Sequence, residues 1–411
     1  MWITCGYIVN ILVTFHIARN REINSIDCIK KIARAEFQIP IFDHCVKLII
    51  LYNRIMNPKL NTLLEKIEKA LSEAILYDYD AKWQKASFGA LPDAITQNKT
   101  FITKLLEPNI DLIKLGGKRW RPLFLMLCYQ MAKKQVQEQG LEASPLSEKA
   151  ALSLTPLVEF VHTASLIHDD IEDSADLRRG KPAAHITYGI DHALNSASWL
   201  YFEAPVCLET AKLTDAQKLA FYKLYTNELR RLHLGQAMDI YWHKEKDVYP
   251  AIEEYLAMVQ NKTGTLASLA AQVGFMAGGA TEKQAAIYGK TAAQIGVGFQ
   301  IIDDVINLTK GNPGKKRGDD IVEGKKSLPV LLHIQQFPGD KAKISKLMTQ
   351  AAKEGITSPA VEKCIALLEK SGCIQTAAEK GKMLIQTNCA KFAANPFIPE
   401  LFNAMIPKDL F

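Results

Sequence analysis

Apolar residues recur at intervals of three and four along most of the chain, which is the period of an amphipathic α-helix. Alternating strand patterns are essentially absent. The pattern therefore predicts an all-α fold, a helical bundle with a central cavity between facing helices. The repeat is clearest in residues 56–86, at Leu60, Leu63, Leu64, Ile67, Leu71 and Ile75. Further helices are predicted at about residues 117–138, 148–174, 215–243, 251–278, 281–309, 325–336 and 340–390.

Proline and glycine mark the predicted loops, at Pro108, at Gly180-Lys181-Pro182 and at Gly311-Asn312-Pro313-Gly314. Only residues 1–55 look foreign to the helical design. The stretch from Trp2 to Ala18 is apolar and uncharged, yet it is short for a transmembrane span and lacks the positive segment that opens a secretory signal.

Three interpretations of the first 55 residues are open. They could be translated sequence upstream of a true initiator at Met56, an organellar presequence or a membrane anchor. We favour the first interpretation, because Met56-Asn57-Pro58 opens a clean helix start. It divides the chain into an N-terminal extension, 1–55, and one domain, 56–411.

The composition is that of an ordinary globular protein, with 411 residues of which 48% are hydrophobic and 23% charged. The net charge of +6 is modest and spread along the chain, so it does not indicate nucleic-acid binding. The cysteines are scattered, with no CxxC pair and no histidine at metal spacing. We therefore expect a reduced, cytoplasmic protein without a zinc site.

Two aspartate clusters share one spacing. Positions i, i+1 and i+4 lie along one edge of a helix, so we expect each cluster to direct its oxygens at a single point. Crowded carboxylates repel each other and take up protons, and magnesium relieves that repulsion by sharing carboxylates with substrate phosphates. Two facing clusters would hold a diphosphate through metal. The clusters are Asp169, Asp170 and Asp173, then Asp303 and Asp304 with Asn307 in the last position.

A solvated acidic patch is the alternative interpretation of either cluster alone. Apolar residues lead directly into both, such as Leu166-Ile167 and Ile301-Ile302. Basic residues follow both, such as Arg178-Arg179 and Lys325-Lys326. Ionised groups at the end of a core helix need partners. The pair of clusters therefore favours a metal-bridged polyanion.

Other polar residues suit phosphate or a developing positive charge. Gly116-Gly117 precedes Lys118 and Arg121, and such a turn lets backbone amides and cations approach phosphate, although a basic helix cap is the alternative. His162 lies two turns before the first cluster and is either a core histidine or part of the site. Lys262-Thr263-Gly264 and Gln300 interrupt apolar helices, where their dipoles could face a cation.

Five motifs occur in the order of one known family, and on them the chain resembles the trans-isoprenyl diphosphate synthases, or polyprenyl synthetases. The stretch 227–242, NELRRLHLGQAMDIYW, resembles the geranylgeranyl diphosphate synthases of eukaryotic type. Asn307 departs from the usual third aspartate of the family, but that subgroup often carries asparagine at this position. The motifs are GGKRWRP at 116–122, HTASLIHDDIEDSADLRRGKP at 162–182, KTG at 262–264, FQIIDDVIN at 299–307 and GKKRGDDIVEGKKSLP at 314–329.

The resemblance implies an isoprenoid synthase-type bundle, three Mg²⁺ ions per site and a homo-oligomer. It also implies roles for the matching residues. Isopentenyl diphosphate would be bound by Lys118, Arg121, His162 and Arg179. The allylic diphosphate would be bound by Arg178, Lys262, Lys315 and Lys325, and Thr263 and Gln300 would face the reacting carbons. Magnesium would be bound by Asp169, Asp173 and Asp303, with Asp170 and Asp304 in support.

The implied activity is magnesium-dependent condensation of isopentenyl diphosphate with an allylic diphosphate, giving geranylgeranyl diphosphate. The alternatives are a farnesyl or longer polyprenyl diphosphate synthase, a class I terpene cyclase or a non-catalytic synthase subunit. Ala164 and Ser165, just before the first cluster, are too small to stop the product at fifteen carbons. By resemblance, Tyr201, Phe202 and His233 would form the floor that stops it at twenty; ordinary core aromatics are the alternative.

Overall fold

The computed structural model describes residues 58–140, 144–311 and 316–407. The chain divides into two compact units, Met1–Asn61 and Thr62–Phe411. The predicted extension, 1–55, and the favoured initiator, Met56, lie outside the described residues, so that domain boundary stays a prediction. Lys315 lies outside them as well, in the loop that the sequence predicts there.

The described part of the chain is helical apart from one small hairpin, which confirms the all-α prediction. Its strands are β1, Leu177–Arg178, and β2, Lys181–Pro182, paired antiparallel. A π-helix spans Gln260–Gly264, and 3₁₀ turns span Pro338–Asp340 and Ala390–Phe392. The helices are α1 Pro58–Ala74, α2 Ala81–Phe88, α3 Asp93–Thr96, α4 Thr100–Lys114, α5 Trp120–Glu138, α6 Glu148–Leu152, α7 Pro156–Glu172, α8 Ala184–Tyr188, α9 Ile190–Glu203, α10 Val206–Thr210, α11 Asp215–Lys244, α12 Ile252–Val259, α13 Thr265–Ala277, α14 Glu282–Thr309, α15 Asp319–Glu323, α16 Leu328–Gln336, α17 Lys341–Glu354, α18 Pro359–Lys370, α19 Cys373–Cys389 and α20 Phe397–Asn403.

The core of the bundle is built around α13, whose residues from Thr265 to Ala271 are all buried. A helix that is apolar on every side belongs in the interior of a large bundle. It packs against α5 and α14, and α14 in turn packs against α19. The candidate site residues lie on α14 and on the elements around α13 and α14.

The structure divides two of the predicted helices. Residues 148–174 form α6 and α7, because Pro156 begins α7 and has no N–H with which to continue a preceding helix. Residues 340–390 form α17, α18 and α19. Gly355 and Gly372, with φ of 78° and 73°, adopt the left-handed half of backbone space that ends a right-handed helix.

The expectation of a loop at Pro108 is wrong, because Pro108 lies inside α4. Proline cannot donate to the carbonyl of Lys104 four residues earlier. Side chains of α9 occupy the carbonyls near the break: His192 Nε2 lies 2.5 Å from the Lys104 oxygen, and Ser196 Oγ donates to the Leu105 oxygen at 2.6 Å. The helix therefore continues through the proline because a neighbouring helix replaces the missing donor.

The segment Glu148–Glu172 is apolar enough to cross a membrane by length and composition alone. Its most apolar window is 67% buried inside the bundle. Core helices of soluble proteins pass the same test, so the segment carries little weight as a membrane span.

Candidate active site

The first aspartate cluster lies at the C-terminal end of α7. Asp169 and Asp173 are half-buried, four residues apart on one edge of the helix. Asp170 is 1% exposed and turns away from that edge to the Arg178 side chain, whose Nε donates to its two oxygens at 2.8 and 3.0 Å. The expectation that all three carboxylates converge is therefore wrong for Asp170, because successive helical residues are rotated by about 100°.

A polar row on α11 faces this cluster. Gln236 Nε2 donates to Asp169 Oδ1 at 2.7 Å and also bonds to Glu172. Asp239, one turn further on, accepts a hydrogen bond from Lys262 Nζ at 2.6 Å. Lys262 Nζ also lies 3.9 Å from Asp169 Oδ1. The ammonium of Lys262 is thus held between two carboxylates on different helices.

Sequence analysis assigned no role to Gln236 or Asp239. Together with His243, whose Nε2 lies 3.0 Å from Asp239 Oδ1, they recur at intervals of three and four. A polar row at helical spacing, next to buried Leu232 and Gly235, was the signal that could have found them. The charge of Lys262, against the effect of burial, holds the pKa of Asp239 below its ordinary value.

The π-helix carries Lys262 and Thr263 into the site. Sequence analysis predicted one continuous α-helix over 251–278, and the structure shows this wider turn inside it. Wider turns of this kind occur mostly at functional sites. The backbone of α11 lies directly against it: a Cβ added to Gly235 would lie 2.3 Å from the backbone nitrogen of Lys262. Only glycine permits this close approach of the two backbones, which sets the position of Lys262 relative to Gln236 on α11.

In the second cluster Asp303 is exposed, whereas Asp304 is 6% exposed. Tyr255 Oη donates to Asp304 Oδ2 at 2.7 Å, and Gln300 Nε2 donates to Asp304 Oδ1 at 3.0 Å. Burial, with the nearby charge of Asp320, raises the pKa of Asp304 to about 7. The sequence predicted that Asp303 and Asp304 converge on one point, and this is wrong for Asp304. Asp304 instead holds the Gln300 side chain in place through its hydrogen bond.

Gln300 links the second cluster to the π-helix, because its Oε1 accepts a hydrogen bond from Thr263 Oγ1 at 2.9 Å. Asn307, at the third position of the cluster, has a structural role. Asn307 is completely buried, and its Oδ1 accepts from the backbone N–H of Asp320 at 3.1 Å. Asn307 thereby attaches α15 to α14.

Lys325 follows the end of α15, two residues after Glu323. Its Nζ is 2.5 Å from Glu323 Oε2 and 3.4 Å from Asp320 Oδ1. Burial raises the pKa of Asp173, and the charge of Lys325 opposes that rise. Lys325 thus interacts with Asp173 of the first cluster and with Asp320, whose charge in turn acts on Asp304 of the second. The next residue, Lys326, is buried: its Nζ donates to Gly324 at 2.9 Å, which stiffens the loop that carries Lys325.

A separate group of cations lies near the start of α5. Arg179 occupies the two-residue turn of the hairpin with φ of 52°, and its guanidinium bonds to the Gly116 carbonyl. Arg121 lies over the Trp120 ring at 4.5 Å, and among the described residues its buried Nε has no hydrogen-bond partner. Burial, followed by the charge of Arg179, lowers the pKa of Arg121 to about 10.

His162 belongs to the same group. Burial, followed by the charges of Arg121 and Arg179, holds the pKa of His162 well below its ordinary value. The nearby carboxylate of Glu159 is bound at 2.5 Å by Arg119, a residue without a predicted role. Crowded cations with an unused donor suit an anionic ligand. The structure brings Arg121, His162 and Arg179 together, and Lys118 lies exposed on the adjoining glycine turn.

The predicted floor is only partly assembled. Tyr201 is 7% exposed; its ring stacks on His168 with centroids 5.4 Å apart and meets His233 edge-on at 5.3 Å. Phe202 is 78% exposed on the single chain and makes no ring contact with this pair, so its assignment to the floor stays a prediction. Adjacent residues of a helix point about 100° apart, so one can face the interior while the next faces solvent.

The carboxylates of the first cluster are oxygen ligands of the type that magnesium takes. Burial, and after it the charges of Glu323 and Asp169, raise the pKa of Asp173 against the effect of Lys325. Such repulsion suits a divalent cation. Within residues 58–140, 144–311 and 316–407, however, no group of three His, Cys, Asp or Glu side chains converges as a metal cage.

The comparisons with known proteins identify the family. A family model for polyprenyl synthetases matches residues 102–367, which is more than half of the chain. The chain therefore belongs to the polyprenyl synthetase family. The match includes both aspartate clusters, the π-helix and the cation group around Arg121.

Individual relatives agree with this assignment. Geranylgeranyl pyrophosphate synthase 2 of Zymoseptoria tritici is 37% identical over 221 residues, 53% of this chain and 63% of that protein, so the chain spans less than two thirds of it. A geranylgeranyl pyrophosphate synthase of Apiospora sacchari is 32% identical over 294 residues, 71% of this chain and 81% of that protein. The crystal structure of geranylgeranyl pyrophosphate synthetase from Pyrococcus horikoshii matches with a TM-score of 0.68 and 26% identity, over 88% of this chain and 99% of that one.

Proposed function

We propose that the protein is a trans-prenyltransferase that condenses isopentenyl diphosphate with an allylic diphosphate. One observation carries the proposal: the site has two separate groups for anions. Carboxylates with Lys262 and Lys325 suit a metal-bound diphosphate, whereas Arg121, His162 and Arg179 form a cation group for a second anion. A reaction that joins two diphosphate esters needs both groups.

The allylic substrate would be bound between the aspartate clusters. Magnesium, held by Asp169, Asp173 and Asp303, would draw charge onto its diphosphate as the carbon–oxygen bond breaks. Lys262 and Lys325 add positive charge from the two sides, and Asp239 keeps Lys262 in place. Arg178 contributes through its bond to Asp170, which fixes the end of α7.

The allylic cation that remains is attacked by the double bond of isopentenyl diphosphate, which Arg121, His162 and Arg179 would hold nearby, with Lys118 at the rim. Thr263 and Gln300 are oriented by their mutual hydrogen bond, so that their oxygen dipoles can face the cation. Loss of one proton to the departing diphosphate completes the elongated allylic product. Water must be excluded from the site, because it would otherwise capture the cation as an alcohol.

We also propose that the product has twenty carbons, as the names of the relatives suggest for those proteins. Tyr201 supports this, because it is buried between His168, which directly precedes Asp169, and His233. Burial, followed by the charges of Asp169 and Glu172, raises the pKa of its hydroxyl. Tyr201 is the predicted floor residue that lies in the interior, so it is the residue that would limit the growing chain.

Self-association and a cytoplasmic location complete the proposal. The exposed face of α9 carries Ile190, Leu194 and Phe202, which are 58%, 43% and 78% exposed at positions four and eight residues apart. Leu234 on α11 is 57% exposed. Large apolar side chains that are exposed along one helix suit contact with a second copy of the chain. Sedimentation analysis of wild type and of Phe202→Asp would test this.

Incubation with defined substrates tests the activity. The protein is incubated with magnesium and farnesyl diphosphate, with and without isopentenyl diphosphate, and the release of diphosphate is followed. A prenyltransferase releases diphosphate only when both substrates are present, one per condensation. A terpene cyclase would release it from farnesyl diphosphate alone, and a non-catalytic subunit would release none; either result contradicts the proposal.

A further inference from the structure

A polar recess lies apart from the residues of the candidate active site. It has a volume of about 370 Å³ and opens where α11, the π-helix, α14 and the end of α19 meet. Its lining includes Arg231 from α11, Gln260 from the π-helix, and Lys290 and Gln294 from α14, with Asn388 and Lys391 at the end of α19.

The lining has positive charge and spare donors. It contains three cations, Arg231, Lys290 and Lys391, and no carboxylate. Arg231 uses one nitrogen to bond Glu228 at 3.3 Å, and Lys391 Nζ donates to Asn388 Oδ1 at 3.3 Å. Lys290 makes no hydrogen bond or ion pair with the residues that the structure describes. Arg231, Lys290 and Lys391 are exposed, and three cations around one small recess make its potential positive, which favours an anion.

The floor of the recess is ordered and neutral. Thr291 and Asn388 are 8% and 7% exposed, and each is fixed by a hydrogen bond to a carbonyl of its own helix. Gln294 Nε2 donates to Gln260 Oε1 at 3.0 Å. The Nε2 of Gln260 is left without a partner in the described part of the chain, so it can donate to a ligand.

We propose that this recess binds a free phosphate-class anion, with diphosphate as the ligand that fits it. A guanidinium, two ammonium groups and an amide N–H offer several donors to a compact polyanion with oxygens on all sides. The residues that line the recess are all polar or charged, which favours a compact polyanion as the ligand. Diphosphate is also the leaving group of the proposed reaction, but the inference rests on the lining residues and stands apart from that reaction.

The placement of Gln260 links this recess to the candidate active site. Gln260 begins the π-helix two residues before Lys262, and Gln294 lies six residues before Gln300 on α14. An anion bound here would contact two elements that carry active-site residues and would join them to α19. Binding to the folded protein alone should raise its melting temperature.

Lysine acylation in the full chain tests the proposal residue by residue. The protein is treated with a small acylating reagent, with and without inorganic diphosphate, in EDTA and at matched ionic strength. Peptide mass spectrometry then reports the acylation of each lysine. At ten times the dissociation constant, acylation of Lys290 and Lys391 should slow about tenfold. Lys223 and Lys283, on the same helices α11 and α14 but lining a different groove, serve as controls.

Equal acylation of Lys290 and Lys391 with and without diphosphate would overturn the proposal. Vesicles of phosphatidylserine and phosphatidylcholine form a second arm, and protection by vesicles but not by free diphosphate would also overturn it. In the double variant Lys290→Gln/Lys391→Gln, the rise in melting temperature with diphosphate should shrink while the condensation rate is retained. Repeating the assay with magnesium measures the acylation of Lys118 and Lys325, which lie on other peptides and belong to the candidate active site. Their protection tests the proposed function separately from the protection of Lys290 and Lys391.

Discussion

The contact between α11 and the π-helix gives a sharp test of how the site is positioned. In Gly235→Ala, the new Cβ would lie 2.3 Å from the backbone nitrogen of Lys262 and 2.8 Å from the carbonyl carbon of Asn261. Ordinary van der Waals contact begins near 3.4 Å, so the two backbones must separate by about 1 Å. Because both neighbours are backbone atoms, no side chain can rotate away to relieve the clash.

The separation moves Lys262 away from Gln236 and Asp169. Misplacement by about 1 Å costs roughly a hundredfold in rate, so kcat/KM for the allylic substrate should fall by about that factor. Overpacking costs about 1–3 kcal/mol of stability, and the better helix propensity of alanine returns about 1 kcal/mol. The free energy of unfolding should therefore fall by no more than about 2 kcal/mol, and the variant should stay folded at room temperature.

Steady-state kinetics and urea unfolding measure the two quantities. Ala237→Gly is the matched control, since Ala237 is an exposed residue of the same helix. It lowers helix propensity by about 1 kcal/mol without a new contact and should keep the wild-type turnover. Wild-type kcat/KM in Gly235→Ala would refute the positioning argument, as would an equal loss of kcat/KM in the control.

Five further substitutions separate the roles of the site residues. Asp169→Ala and Asp303→Ala should each lower turnover by about a hundredfold or more with unchanged circular dichroism; near-normal turnover in both would remove the metal assignment. Arg121→Ala should raise KM for isopentenyl diphosphate much more than KM for the allylic substrate, whereas an equal rise would indicate a structural cap. Tyr201→Ala should lengthen the product and Phe202→Ala should not, as chromatography of the dephosphorylated alcohols would show; unchanged length in Tyr201→Ala would exclude it as the floor.

The sequence predicted the fold because helical periodicity and the family motifs are local. Periodicity does not report what a neighbouring helix supplies, and for this reason Pro108 was placed in a loop. Its place inside α4 depends on His192 and Ser196, which are more than eighty residues away. The π-helix was missed for a related reason. Its residues fit an α-helical pattern, and the close approach of Gly235 is a tertiary contact.

The candidate site was predicted through residue types, and the directions of the side chains required the structure. Spacing alone could not show that Asp170 and Asp304 face Arg178 and Tyr255 rather than their neighbouring aspartates. Gln236 and Asp239 had a visible polar spacing but no partner in the sequence. Phe202 was assigned by its adjacency to Tyr201, although adjacent helical residues face different ways.

The product formed from farnesyl diphosphate and isopentenyl diphosphate tests the central claim most directly. With magnesium and both substrates, mass spectrometry should show one diphosphate ester of twenty carbons, and EDTA should abolish it. A product of twenty-five carbons or more, a cyclised hydrocarbon, or unchanged substrates would contradict the assignment of this site to condensation of two diphosphates with Tyr201 at its floor.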